Sequence, residues 1–271
     1  MMLEVQKIRK KINQHRKKIL KIINHIGKGH VGGAFSCLDL LGVLYYGGIL
    51  NISPDNFNDH NHNRFILSKG HASIAQYVIL QDLGFFEEKE LFKMNKGGFL
   101  GEHPDENIPG IEFISGSLGH GLAVSVGFAL NAKLENLSYK TYVILGDGEC
   151  GEGSVWEAAS LASHLKLSNL VAIIDRNRLC IHGDTEKIHS LDPLDKRFES
   201  FGWNVISIDG HDYEDILWAM KQNHPDKPTA IIANTVKGKG VSFMENQKNW
   251  HHGAISDEYL TLGLADLTKN D

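Results

Sequence analysis

Apolar positions recur along this chain at two spacings. Between residues 3 and 26, Val5, Ile8, Ile12, Ile19, Ile22, Ile23 and Ile26 fall on one broad side of a helix. Arg9, Lys10, Lys11, Arg16, Lys17, Lys18 and Lys21 take the rest, which predicts a packed amphipathic helix with a solvated basic face. The glycines of residues 27–33 break it, and residues 34–41 open a second helix with Ser36 as its N-cap. Five short runs, at residues 64–68, 141–145, 170–174, 204–208 and 229–236, are apolar and nearly unbroken, as strands buried on both faces of a parallel sheet require. Helical stretches separate them, among them runs ending at Leu80, Leu134 and Gln222. Strands alternating with helices, without an internal repeat or a low-complexity linker, predict one α/β domain over residues 1–271, a doubly wound, mainly parallel sheet with helices on both faces.

Composition narrows the partners. With 271 residues, 42% hydrophobic and 23% charged, the chain is long enough for a substantial core and shows no bias toward disorder. A net charge of −5 gives no reason to expect nucleic acid or a membrane surface. No run of about eighteen apolar residues predicts a membrane span, and the basic start lacks the apolar stretch of a signal peptide, so the expected location is the cytoplasm. Cys37, Cys150 and Cys180 are too few and too scattered for a disulfide framework or a zinc site. They read as small apolar fillers.

Residues 139–183 carry the densest chemistry. A strand ends at Gly146-Asp147-Gly148, a helix follows, and a second strand ends at Asp175-Arg176-Asn177. In a parallel pair joined by a right-handed crossover these two ends lie side by side, so Asp147 and Asn177 can face one cation. A carboxylate, an amide oxygen and a backbone carbonyl just beyond, such as that of Leu179, form a hard-oxygen half-shell suited to Mg²⁺ or Ca²⁺ whose other ligands are phosphate and water. The two glycines let the backbone approach a phosphate. Read alone, Gly-Asp-Gly is a tight turn and Asn177 a loop residue.

Gly146-Asp147-Gly148-Glu149, followed thirty residues after its aspartate by the Asn of an Asp-x-Asn strand end, resembles the Mg²⁺–thiamine-diphosphate motif of thiamine enzymes. The intervening EGSVWEAASLASHLKLSNLVAIIDRN is similar to transketolases in particular. Other segments carry the same resemblance. GKGHVGG resembles the element that places a histidine, here His30, at the substrate. LSKGHAS resembles the element whose histidine, here His71, contacts the cofactor diphosphate. EHPD resembles the family's Gly-His-Pro-Glu loop, which implies that His103 faces substrate. ISGSLGHG stands where the family has Gly-Pro-Leu-Gly-Gln; Ser117 replaces the proline and His120 the glutamine, so backbone contacts from Gly116, Ser117 and Leu118 carry over and the glutamine's role does not. KGKGVSFMENQKNWHHG resembles the segment from a Lys-Gly pair to a terminal histidine. That implies Lys237 and His251 at the cofactor and substrate, with His252 the competing choice. Glu152 and Glu157 match acids that link two active sites in the family, and also suit the first turn of a helix.

The resemblance spans nearly the whole chain and implies two-carbon ketol transfer from a ketose or its phosphate to an aldose, using thiamine diphosphate and Mg²⁺, with Ca²⁺ or Mn²⁺ as alternatives. Histidines suit the proton movements on sugar hydroxyls, so His30, His103 and His251 are the expected catalytic set. Gly146, Asp147, Gly148, Glu149, Asn177, Lys237 and His71 are the expected cofactor contacts, and Asp147, Asn177 and Leu179 the metal ligands. Full-length transketolases carry, on a further domain, a glutamate that engages the cofactor's pyrimidine ring. The chain therefore reads as the N-terminal subunit of a split transketolase, completed by a C-terminal partner subunit in a heterotetramer. The rivals are another thiamine enzyme component, such as a deoxyxylulose-phosphate synthase, and a non-catalytic thiamine-diphosphate-binding subunit. A nucleotide-binding Rossmann reading is disfavoured, since no strand leads into G-x-G-x-x-G.

Overall fold

A computed structural model describes residues 2–269. Five strands, β1 (Arg64–Leu67), β2 (Thr141–Gly146), β3 (Leu170–Arg176), β4 (Asn204–Asp209) and β5 (Thr229–Asn234), pair in parallel in the order β1-β2-β3-β5-β4. The α-helices among the described residues are α1 (Met2–Ile26), α2 (Val31–Tyr46), α3 (Ser73–Asp82), α4 (Glu88–Leu91), α5 (Gly121–Leu134), α6 (Gly153–His164), α7 (Thr185–Ile188), α8 (Leu194–Ser200), α9 (Tyr213–Lys221) and α10 (Asp257–Thr268).

The sheet separates two cores, because alternate residues of a strand point to opposite faces. Phe65, Tyr142, Ile144, Ile173 and Ile231 pack with α1, α2, α3 and α9 on one side. Ile66, Val143, Leu145, Ile174 and Ile232 pack with α5, α6 and α8 on the other. The chain steps outward from β3 to β4 and returns through α9 to β5, so β4 becomes the edge strand. Its residues other than Ile208 are partly or fully exposed, unlike the fully buried β3.

Two local expectations change. α2 begins at Val31, five residues ahead of Ser36, and has no side-chain cap. Every residue of α2 but Tyr46 is buried. Tertiary burial therefore overrides the weak propensity of Gly32 and Gly33, and Ser36 sits inside the helix, donating to Gly33 O at 3.0 Å and to Asp175 Oδ2 at 2.6 Å. Arg16 is not on a solvated face: it is buried and pairs with Asp39 Oδ2 at 2.6 Å, because α2 brings Asp39 beneath α1. The rest of the α1 pattern holds, with Val5, Ile8, Ile12, Ile19, Ile22 and Ile23 buried. Gly27, at φ +103°, takes the left-handed conformation that ends α1.

Candidate functional site

Strand register assembles the cleft. Gly146 lies opposite Asp175, and the Asp147 amide donates to the Asp175 carbonyl at 3.2 Å, so the chain leaves β2 and β3 at the same level. Residues that follow β1, β2, β3 and β5 converge there on a cavity of 160 Å³, at the carboxyl edge where ligands bind in open α/β sheets. Gly33, His71, Leu118, Gly146, Asp147, Gly148, Glu149, Asn177, Leu179, Lys237 and His251 all line it. A cavity of 440 Å³ lined by Arg16, Asp39 and His211 is larger but contains none of these motif residues.

Asp147 is buried. Its Oδ2 accepts from the Arg178 amide at 2.6 Å and from Arg176 at 3.0 Å, and Oδ1 accepts from the Gly148 amide at 2.8 Å. Burial, and then the neighbouring Asp175 charge, raise its pKa despite Arg176. A cation at this carboxylate would relieve that cost. The Asn177 amide oxygen accepts from the Leu179 amide at 3.1 Å, and the Leu179 carbonyl accepts from the Lys237 ammonium at 3.0 Å. The carboxylate, amide and carbonyl oxygens fit a hard divalent ion. Gly148 lets the turn close: a Cβ there would meet Cys180 Cβ at 3.2 Å.

Lys69 and Asp175 are residues whose importance the sequence reading missed. Asp175 is wholly buried and accepts from Lys69, Thr235, Ser36 at 2.6 Å and the Asn177 amide group at 3.3 Å. Burial alone would neutralise both members of the ion pair; their mutual attraction holds Asp175 low and Lys69 high. An acid and a base at the ends of otherwise apolar strands were the available signal, since such charges require partners. Arg176 is a second case. Besides Asp147 it holds Thr185 at 2.9 Å, Glu186 at 2.7 Å and Asp192 at 2.9 Å, anchoring the loop beyond Asn177.

The histidines meet through backbone contacts. Gly29 and Gly253 exchange two hydrogen bonds of 3.0 Å, which sets His30 beside His251 and His252. A Cβ on Gly32 would come within 2.6 Å of the Trp250 carbonyl, so this close crossing needs glycine. The His30 ring lies 5.3 Å from that of His71, 5.4 Å from His251 and 4.5 Å from His252, and His71 stacks on His251 at 5.1 Å. The structure thus separates the two competing histidines: His251 lines the cavity and accepts from Lys237 at 2.8 Å through Nδ1, while His252 sits at the mouth beside Glu102. Burial, with neighbouring cationic or imidazole groups, lowers His30 to about 4, His251 to about 3 and His71 well below the usual range. All three are neutral at pH 7. Burial and then Lys69 lower Lys237 to about 8.

The loop bearing His103 is pinned to α3 by Tyr77, which donates to the His103 carbonyl at 2.8 Å, and by Ser73, which donates to the Glu102 carbonyl at 2.7 Å. His103 itself is exposed and packs on Gly116, where a Cβ would meet its ring at 3.1 Å. Leu118 reaches the cavity; Ser117 lines a neighbouring apolar depression with Ile114 and His120. Glu149 faces the cavity, but its carboxylate serves the fold, accepting from Ser68, from the Gly119 amide at 2.9 Å and from the Gly146 amide at 3.0 Å. It ties the segment ahead of α5 to the end of β2.

A parallel sheet with a Gly-Asp-Gly turn, an asparagine just past the next strand and loops that converge on one cleft defines an α/β domain with its binding cleft at the carboxyl edge of the strands. Residues 8–263 match the family model described as transketolase, thiamine diphosphate binding domain, and the chain belongs to that family. It is 42% identical to one subunit of the apulose-4-phosphate transketolase of Phocaeicola vulgatus, over 98% of this chain and 96% of that relative. It is 39% identical to one subunit of the 6-deoxy-6-sulfo-D-fructose transketolase of a Clostridium species, over 95% and 94%. The transketolase structure from Campylobacter jejuni superposes with a TM-score of 0.89 at 32% identity, over 97% of this chain but 43% of that one. The chain therefore spans nearly all of these separate-subunit relatives and less than half of a full-length transketolase.

Proposed function

We propose that this chain is the diphosphate-side subunit of a split, thiamine-diphosphate-dependent transketolase that moves a two-carbon ketol unit from a ketose to an aldose. The observation that carries the reading is the pairing of Asp147 with Asn177 and the Leu179 carbonyl at adjacent strand ends, inside a cleft bordered by neutral histidines. Those three oxygens would hold Mg²⁺, or Ca²⁺ or Mn²⁺, against the cofactor's diphosphate, with His71, Lys237 and the Gly146–Gly148 turn as further contacts and backbone from Gly116 to Leu118 beside them. Bound there, thiamine diphosphate supplies the carbanion chemistry and the electron sink.

The protein's own part is positioning and proton transfer. Lys237, protonated at pH 7, donates to His251 Nδ1, which leaves Nε2–H of that ring as a donor toward a sugar oxygen. His30, held neutral, offers a basic nitrogen for a sugar hydroxyl proton, and exposed His103 stands on the loop that Tyr77 and Ser73 pin to α3. The two relatives from Phocaeicola and Clostridium are named for substrates that carry an anionic group, phosphate in one and sulfo in the other. An anion-bearing ketose is accordingly the proposed donor class.

The partner subunit would contribute the pyrimidine-binding domain and its glutamate. Exposed Ile114, Leu118 and Ile181 next to the cleft give it an apolar surface to cover, and exposed Glu152 and Glu157 lie within reach of a second site in a heterotetramer. No described helix is long and apolar enough to cross a membrane. The three cysteines are unpaired, which supports a reducing, cytoplasmic setting. The test is ketol transfer with saturating Mg²⁺ and thiamine diphosphate, assayed first with the chain by itself and then with the C-terminal partner added. Activity is expected only from the pair; robust turnover by the isolated chain would sink the reading.

A further inference from the structure

A second donor set, of different chemistry, stands at the mouth of the cleft. Glu102 Oε1 lies 3.0 Å from His30 Nδ1 and 3.2 Å from His252 Nε2, and the three donor atoms lie within 4.8 Å of one another. They come from three separated segments, each held by hydrogen bonds to its backbone. The Gly29–Gly253 bridge holds both histidines, and Ser73 holds the Glu102 carbonyl at 2.7 Å.

Hydrogen bonding does not account for the cluster. His30 Nδ1 is buried and has no hydrogen-bond partner, although a carboxylate oxygen is in reach; the ring is not aligned on it. Ligand atoms that share one ion behave this way, since their lone pairs aim at a common centre and not at each other. In a tetrahedral zinc shell, with Zn–N and Zn–O near 2.0–2.2 Å, neighbouring donors stand roughly 3.3 Å apart. Both distances from Glu102 lie close to that edge length.

The ligand types point the same way. Two imidazoles and one carboxylate suit a borderline ion such as Zn²⁺, whereas the all-oxygen set at Asp147 suits Mg²⁺. The side chains of His30, Glu102 and His252 are 16%, 37% and 30% exposed, so the cluster is open to solvent although the His30 Nδ1 atom itself is covered. We propose that His30, Glu102 and His252 bind a Zn²⁺-class ion at the cleft mouth, and that this ion blocks sugar access to His30 and to the His71–His251 pair behind it. Binding rests on the donor geometry alone; blocking rests on the proposed ketol-transfer function.

Calorimetric titration of the chelator-treated chain with ZnCl₂ in excess Mg²⁺ tests the first part, with Co²⁺ absorption as an optical check on tetrahedral coordination. One ion per chain is expected, with affinity lowered at least about tenfold in Glu102→Ala and in His252→Ala, and unchanged in Asp147→Ala. Circular dichroism verifies that each variant is folded. Absence of binding, binding that persists in both mouth variants as it would on scattered surface histidines, or loss in Asp147→Ala overturns the site. Zn²⁺ is then added to the assembled two-subunit enzyme at saturating Mg²⁺ and cofactor. Inhibition that His252→Ala relieves supports blocking, and binding without inhibition overturns blocking while leaving the ion site standing.

Discussion

Replacing Asp175 with asparagine preserves the side chain's shape, removes its charge and turns one accepting oxygen into an NH₂ donor. Asp175 is wholly buried, Lys69 nearly so, and the Lys69 ammonium donates to Asp175 and to the Gly33 carbonyl, the latter at 2.9 Å. The substitution leaves that ammonium uncompensated inside the protein. Removing one member of a buried pair costs about 3–5 kcal/mol, and because the asparagine carbonyl can still accept, the low end applies. For a chain of this size about 3 kcal/mol corresponds to a melting temperature lowered by roughly 6–12 °C. Urea unfolding of the wild type and of Asp175→Asn, followed by circular dichroism, measures the loss. Lys69→Met in the same background should recover much of it, since both charges are then gone and the double variant buries no orphan. A single variant within about 1 kcal/mol of wild type, or a double variant no more stable than Asp175→Asn, would refute the ion pair as the strut beneath the cleft.

The other expectations concern the site and its titration. Asp147→Ala and Asn177→Ala should each abolish Mg²⁺-dependent thiamine-diphosphate binding by the assembled enzyme while the circular dichroism spectrum stays native; normal calorimetric affinity in either variant would remove it from the ligand set. Alanine at His30, His103 or His251 should depress turnover far more than stability. Rates within about twofold of wild type in all three, a change of only ~0.4 kcal/mol in barrier, would contradict their catalytic roles. His15, His30 and His251 have folded-state pKa values of about 4, 4 and 3, against 6.5 for the free side chain, in each case chiefly through burial. The unfolded chain therefore binds protons first, so stability present above pH 6.5 is lost progressively as pH falls toward about 4. Urea midpoints at about pH 7.5 and about pH 5 check the sign, and equal midpoints would show that these histidines titrate normally.

Much of the site was legible because its logic is local or follows from a general rule of chain topology. The apolar run that ends in Gly146-Asp147-Gly148 and the one that ends before Asn177 are strands by composition, and the handedness of parallel crossovers sets their ends side by side. The glycines around His30 signal a close crossing without saying which chain crosses. What crosses is residues 250–253, and that pairing, more than two hundred positions away in sequence, is what divides His251 from His252. Arg16 looks like its solvated neighbours on α1 until Asp39 is brought beneath it. Ser36 has the composition of a helix cap and spends its hydroxyl on Asp175, and Lys69 and Asp175 are 106 positions apart. Glu149 belongs to the motif, yet its carboxylate holds the Gly119 and Gly146 amides. Periodicity encodes which face of an element is buried. The partner of a buried charge, and the amide a carboxylate must satisfy, depend on which distant segments packing brings within about 3 Å, so only the folded chain assigns them.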